Sequence, residues 1–502
     1  MPEQTTSSGG AVSAAASEEA SDSPRWWILA VLGIAQLMVV LDVTVVNIAL
    51  PSAQQALGFS DASRQWVITA YALAFGSLLL VGGRIGDMFG RKRVFIGGAI
   101  GFAVASAIGG AAPSFEVLVA ARALQGAFAA LLAPAALSLL STTFSDPGER
   151  GRAFAVWGAI GGGSGAFGLL LGGLLTQSLS WRWTLFVNLA FAVPAALGAL
   201  ALLRSGESTV RPRIDVPGTV TATGGLFALV YGFAHAQTHG WGSPTTVAFL
   251  VAGVLVLTVF VAIQWRSSHP LLPLRIVLER NRGGSFLALG TLGAGMFGVF
   301  LFLTYYLQQT LGYSPLKTGV AFLPLTAALV ITAGLSTRMM PRTGPRPVVA
   351  AGMVLSAVGL VLLAQLGVHA SYATQVLPGL TIMGAGIGLV FPPATNLATF
   401  GVDAADAGVA SALVNTTTQV GGSLGTALLS TLAATAAGSV VAGRQPSTAL
   451  LAHAAVHGYT TAFWWAAGIF AVGALLTALL LRGNARPVNV AIEPEVQPAA
   501  AS

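Results

Sequence analysis

The chain has 502 residues, of which 55% are hydrophobic and 8% charged, with a formal net charge of +7 and no cysteine. Soluble proteins carry about a quarter charged residues, so this composition excludes an ordinary water-soluble domain and indicates a chain that crosses a membrane many times. The missing cysteine excludes disulfides, thiolate catalysis and cysteine-ligated metal, and the scattering of basic residues over separate loops argues against nucleic acid as a partner.

Residues 1–24 are rich in Ala, Ser, Thr and acidic residues, lack a basic start, and read as a disordered tail instead of a signal peptide. Apolar segments then follow at about 26–50, 66–83, 94–111, 115–140, 153–177, 183–203, 216–237, 246–265, 284–307, 317–337, 347–367, 375–398, 408–434 and 460–482. Fourteen spans of this kind predict an all-α membrane protein with both termini on one side. Residues 483–502, with their prolines and glutamates, read as a second tail. Lysine and arginine fall roughly nineteen to four on alternate loops, which predicts cytoplasmic termini in a plasma-membrane protein.

Between the second and third segments lies Gly83-Arg84-Ile85-Gly86-Asp87-Met88-Phe89-Gly90-Arg91-Lys92-Arg93. So short a connection makes its flanking helices antiparallel neighbours. Glycines 83, 86 and 90 are expected to allow turns or close backbone approach, and Arg91, Lys92 and Arg93 to hold this end in the cytoplasm. Asp87 can accept from helix-terminal amides or pair with an arginine, making a latch that a conformational change could break. A polar loop that only sets topology is the plain alternative. Gly334 to Arg346 looks like a worn copy of this hairpin, with Pro341 where Asp87 would stand. Two six-helix halves, residues 25–204 and 283–482, are therefore expected, separated by two extra helices in residues 205–282. Such repeats place a transport site between the halves.

Two ionisable residues fall well inside apolar spans: Asp42 in the first and Arg122 in the fourth. Charge in the bilayer is costly and marks function by default. At 1.5 Å per residue both lie about 10–12 Å from the outer ends of their spans, so they can meet in the outer half of the membrane. A structural ion pair and a proton switch are both open readings. Gln125, one turn from Arg122, and Asn47, further along the first span, could extend the polar patch or make ordinary interhelical bonds.

The G-x-x-x-D-x-x-G-R-K-R spacing resembles the loop signature of the major facilitator superfamily. Leu41 to Pro51 resembles the first-helix motif of its fourteen-span drug:proton antiporters, and Leu118 with Arg122, Gln125 and Gly126 resembles their fourth-helix motif. Trp181-Arg182-Trp183 with Phe186 and Asn188, and Gly388 to Asn396, fit the same subfamily. The resemblance implies proton coupling at Asp42 and Arg122, and a latch of Gly83, Asp87, Gly90 and Arg91. Two departures stand out. Leu169 occupies the place of a fifth-helix proline, which leaves export open against uptake by a symporter of the same fold. The thirteenth span, around Asn415 and Gln419, holds no carboxylate, which favours a neutral or weakly charged hydrophobic substrate over a dication.

Trp66, Tyr71, Phe297, Phe300, Tyr305, Tyr306, Asn396, Asn415 and Gln419 are candidates to line a substrate cavity, with lipid-facing placement the alternative for the aromatics. Gly163 to Gly168 matches G-x-G-x-x-G and Gly421 to Gly425 matches G-x-S-x-G, but no strand precedes either. The six histidines lie near span ends and read as facing water or headgroups. No G-x-x-x-x-G-K-[ST] is present, so no nucleotide, metal or other cofactor is expected. The expected protein is a monomeric exporter of hydrophobic small molecules, with protons and the lipid bilayer as its other partners. A membrane sensor or scaffold is a rival from a different class, and an enzyme has no constellation to support it.

Overall fold

The computed structural model describes residues 9–61, 63–144, 146–203, 215–402, 406–445 and 447–482. Among the described residues fourteen helices are long and apolar enough to cross a membrane: α1 (Arg25–Leu57), α2 (Trp66–Phe89), α3 (Arg91–Gly110), α4 (Phe115–Thr143), α5 (Arg152–Ser178), α6 (Trp183–Leu202), α7 (Val216–Ala236), α8 (Pro244–Arg266), α9 (Arg280–Thr310), α10 (Pro315–Thr343), α11 (Pro345–Leu363), α12 (Tyr372–Thr399), α13 (Gly408–Val441) and α14 (Thr448–Leu480). Helices are the natural solution in lipid, because they satisfy each backbone polar group within the segment.

One expectation is corrected at the N-terminus. The first helix begins at Gly9 and runs unbroken to Leu57, so residues 9–24 are helical and not the expected disordered tail. The alanines and glutamates of that stretch are strong helix formers, and the membrane helix that follows nucleates them. The expected tails of residues 1–8 and 483–502 lie outside the described residues.

The packing repeats itself. In the first half α2 and α3 pack on α4, α1 packs on α5 and α6, and α3 packs on α6; in the second half the same pairings recur as α10 and α11 on α12, α9 on α13 and α14, and α11 on α14. The junction follows the same symmetry, since α2 meets α13 and α5 meets α10. Lipid tails are as apolar as the helix surfaces, so small residues that let backbones approach drive these crossings. A Cβ at Gly82 would fall on the Ala130 carbonyl oxygen, one at Gly293 on Thr418, and one at Gly384 on Leu325.

The α7–α8 pair forms a hairpin against α13 and α2. Thr431 of α13 donates to the Phe233 carbonyl at 2.6 Å. At the other end of the hairpin, the Asp215 carboxylate accepts from Gly218 N at 2.8 Å, Gln264 Nε2 at 2.7 Å and Leu271 N at 3.3 Å. Arg275, in the segment leading to α9, pairs with Asp406 at 2.5 Å. The hairpin is thus tied to α13 near one end, the segment that follows it is tied to the second bundle through Arg275, and the hairpin meets α2 through apolar contacts around Leu73 and Trp66.

Candidate functional site

Near the middle of α1, Asp42 is fully buried and Arg122 of α4 is 2% exposed. Arg122 Nη1 donates to Asp42 Oδ2 at 2.5 Å and to Gln125 Oε1 at 2.9 Å, while its Nε donates to the Val67 carbonyl of α2 at 3.1 Å. The guanidinium lies over the Tyr71 ring, 4.5 Å from its centroid, where the face of the ring attracts the cation. Gln125 Nε2 donates to Asp42 Oδ1 at 3.0 Å and to Ser106 Oγ of α3 at 2.6 Å. Asn188 Nδ2 of α6 donates to the same Asp42 oxygen at 2.7 Å and to Ser106 Oγ at 3.3 Å.

Five helices therefore converge on one network around this carboxylate. Asp42 accepts from three donors, which is how an ionised carboxylate is satisfied away from water. Glycines build the site as much as polar groups do: a Cβ at Gly126 would strike the Tyr71 carbonyl oxygen, and one at Gly168 the Thr44 hydroxyl. These approaches hold α4 on α2 and α5 on α1 at the level of the network.

The family model described as Major Facilitator Superfamily matches residues 32–426. The chain belongs to this superfamily. Among curated relatives, the Puromycin resistance protein pur8 of Streptomyces alboniger is 50% identical over 95% of both chains. The Cephamycin export protein CmcT of Amycolatopsis lactamdurans is 40% identical over 79% of this chain and 83% of its own. Among solved structures, a bacterial homolog of the human lysosomal transporter Spinster, inward-facing and occupied, has TM-score 0.65 at 15% identity and covers 91% of this chain and 97% of its own. A peptide transporter, POT, in complex with sulfate, has TM-score 0.64 at 15% identity over 90% and 94%. The fold is that of the superfamily, and the chain is a membrane transporter and not an enzyme.

In this facilitator the structure brings Asp42, Arg122, Gln125 and Tyr71 together and adds two residues the sequence reading did not place there, Ser106 and Asn188. Asn188 was visible as part of the Trp181-to-Asn188 run, but nothing in that run shows which way its amide points. Asn47 is corrected: its Nδ2 donates to the Val43 carbonyl on its own helix at 2.7 Å, four residues back, so it caps its own turn and stays out of the patch. The depth is corrected too. Because α1 continues to Leu57, past the expected end near residue 50, Asp42 sits close to the midpoint of the helix.

The basic hairpin is built differently from its sequence reading. Gly90 has φ 91°, a backbone that only glycine adopts freely, and Asp87 and Arg91 face each other across it at 3.4 Å. Lys92 donates to the Leu200 carbonyl at 3.0 Å and to Leu203 at 2.5 Å, closing the end of α6. Gly83 has only ordinary contact distance to Pro134 and Gly86 opens onto free space; it is Gly82, not named in the expected latch, that carries the close approach to α4.

The cavity candidates divide. Trp66 packs against Phe227 of α7, with ring centroids 6.5 Å apart, because the extra hairpin lies on that side of α2. Phe297, Phe300, Tyr305 and Tyr306 are buried in α9. Phe297 fills the space over Gly422, Phe300 meets Phe322 at 5.2 Å, and Tyr306 donates to the Gly367 carbonyl at 2.7 Å, all within the second bundle. Gln419 is buried against Gly76 where the bundles cross. Asn396 and Asn415 are exposed amides towards the basic ends of α12 and α13.

On the opposite face a second polar cluster joins the bundles. Arg64, 6% exposed, pairs with Asp61 at 3.3 Å and stacks over Tyr305 at 4.1 Å. Gln308 donates to the Ile48 carbonyl at 2.9 Å. The sequence reading used Arg64 only for topology; its burial comes from the aromatic end of α9, which no local pattern announces.

Proposed function

We propose that this facilitator is a proton-coupled exporter of hydrophobic small molecules of the antibiotic kind, working by alternating access between its two bundles. The observation that carries the reading is the Asp42–Arg122 pair: a carboxylate buried at mid-helix, within reach of a guanidinium on a different helix, can exchange a proton for an arginine when the helices shift. The resistance and export names of the relatives support outward transport of an antibiotic, and the 50% match points to puromycin as the first compound to test. The face bearing Arg91 is taken as cytoplasmic, on the nineteen-to-four bias of basic residues.

In this reading the opposite face is sealed by Arg64, Tyr305 and Gln54. Substrate enters from the cytoplasm past the exposed amides Asn396 and Asn415. Proton uptake by Asp42 releases Arg122, and Asp87 with Arg91 steadies the basic hairpin when that face closes. The test is antibiotic susceptibility in an efflux-deficient bacterium, together with substrate-driven proton movement in inverted vesicles. Expected are resistance and proton efflux with the native chain, and neither with Asp42→Asn. Normal coupling in Asp42→Asn would remove the proton assignment.

A further inference from the structure

The partners of Asp42 suit only one of its two protonation states. A carboxylate accepts hydrogen bonds alone, and here Arg122, Gln125 and Asn188 all donate to it. A carboxylic acid carries one O–H and needs an acceptor. Gln125 Oε1 keeps a second lone pair, but turning that oxygen to Asp42 would break its bond from Arg122 and the bond from Nε2 to Ser106. Ser106 Oγ accepts from both Gln125 and Asn188, which fills its two lone pairs. The acceptor that can turn to Asp42 without giving up a bond of its own is the other end of one amide: Asn188 Oδ1, buried and without a hydrogen-bond partner among the described residues. An unpartnered buried acceptor beside a proton-carrying group calls for a reason.

We propose that Asn188 is the positioning residue that reads the protonation state of Asp42, by turning its side-chain amide end over end. With Asp42 ionised, Nδ2 donates to it as the structure shows. When a proton arrives from water and binds the carboxylate, Arg122 loses its anionic partner. A half-turn of the amide then brings Oδ1 to the new O–H, and Nδ2 moves to where Oδ1 was. One O–H bond of a hydronium ion breaks as the Asp42 O–H forms, and the turn itself breaks only the hydrogen bonds from Nδ2 to Asp42 and Ser106. The amide gives each state one hydrogen bond, so neither form of Asp42 is left unsatisfied while the bundles rearrange. The charged and titratable groups set against Asp42 are Arg122 on α4 and Tyr71 on α2; α3 and α6 bring the neutral Ser106 and Asn188, and α5 brings Gly168 along the same stretch of α1.

This inference rests on Asp42 being the proton carrier, and the experiment separates the two. Infrared difference spectroscopy of the purified full-length chain in lipid, between high and low pH, reports a protonated carboxyl band. Its loss in Asp42→Asn assigns it to Asp42, and its persistence there would sink the carrier reading and this one with it. Given that assignment, Asn188→Leu, which keeps the side chain's bulk without its polar ends, is expected to move the Asp42 band to the position of an acid with no hydrogen-bond acceptor. It is also expected to slow turnover about tenfold, the equivalent of one lost bond of about 1.4 kcal/mol, with substrate affinity changed less than about twofold. Asn188→Ser, whose hydroxyl can both donate and accept, restores the native band position. A band unmoved by Asn188→Leu in protein that still melts cooperatively would overturn the proposal while leaving Asp42 as carrier. A band moved instead by Gln125→Leu would give the role to Gln125.

Discussion

Tyr305 of α9 donates its phenolic O–H to Gln54 of α1 at 2.5 Å, across the junction of the two bundles. Gln54 in turn donates to Asp61 at 2.8 Å, and Asp61 pairs with Arg64, whose guanidinium returns over the Tyr305 ring. The ring of contacts closes on itself, so loss of one member loosens the others. Tyr305→Phe keeps the ring but drops the bond to Gln54; Arg64→Met drops the cation. A cation–π contact contributes roughly 0.5–2 kcal/mol, so Arg64→Met is expected to raise the population open on this face by about tenfold and Tyr305→Phe by less. The chain has no native cysteine, and Ala53→Cys, buried next to Gln54 in the α1 sequence, is a reporter free of background labelling. Its labelling rate by a membrane-impermeant maleimide should rise in both variants, and an unchanged rate would deny the cluster a sealing role.

The Asp42–Arg122 network makes a stability prediction that is independent of transport. Removing one member of a buried ion pair leaves an uncompensated charge, which costs about 3–5 kcal/mol, whereas replacing both with neutral partners costs far less. Asp42→Ala and Arg122→Ala should each lower the melting temperature in detergent. The double variant Asp42→Asn with Arg122→Gln should melt above either. Arg122→Lys keeps the charge but cannot reach Asp42, Gln125 and the Val67 carbonyl together, and it should fold yet transport at least about tenfold more slowly.

How far this was legible beforehand follows from what lipid penalises. A charge in an apolar run is so costly that Asp42 and Arg122 announced each other from sequence, and the count of spans followed from the same penalty. Ser106 and Asn188 did not, since a small neutral polar residue is cheap in a helix and sequence does not show which neighbour its face meets. Trp66 was misplaced for a similar reason: nothing in residues 216–266 says that their hairpin docks on α2 and α13. The glycine that matters at the α2–α4 crossing is Gly82 and not Gly83, because a one-residue change turns a helix position by about 100°, finer than a motif can resolve.

That rotation gives a graded test of the basic hairpin. Gly82→Ala places a methyl on the Ala130 carbonyl, and Gly90→Ala forces a side chain into positive φ. Both should lower the yield of folded protein, the second by a strain of about 1–3 kcal/mol. Gly86→Ala meets open space in this structure and should fold normally. If the ends of α2 and α13 draw together when the basic face closes, its methyl obstructs that state, and transport falls while stability holds. Native transport by Gly86→Ala would remove the hairpin from the closing movement.

The division of the cavity candidates separates residues that hold the fold from those that select the substrate. Trp66 touches Phe227 of the extra hairpin, so Trp66→Ala should lower thermal stability by roughly 1–3 kcal/mol of lost packing, within the usual range for single substitutions, and leave the order of antibiotic susceptibilities unchanged. Asn396 and Asn415 are exposed amides on apolar helices, with little packing to lose. Asn396→Ala and Asn415→Ala should keep the native melting temperature and reorder the susceptibility panel, because a missing hydrogen-bond donor weakens only those compounds that used it. The two outcomes are read from the same pair of measurements. Should Trp66→Ala reorder the panel, the α2–α7 contact would belong to the substrate path, and the hairpin would be a wall of the cavity and not a brace outside it.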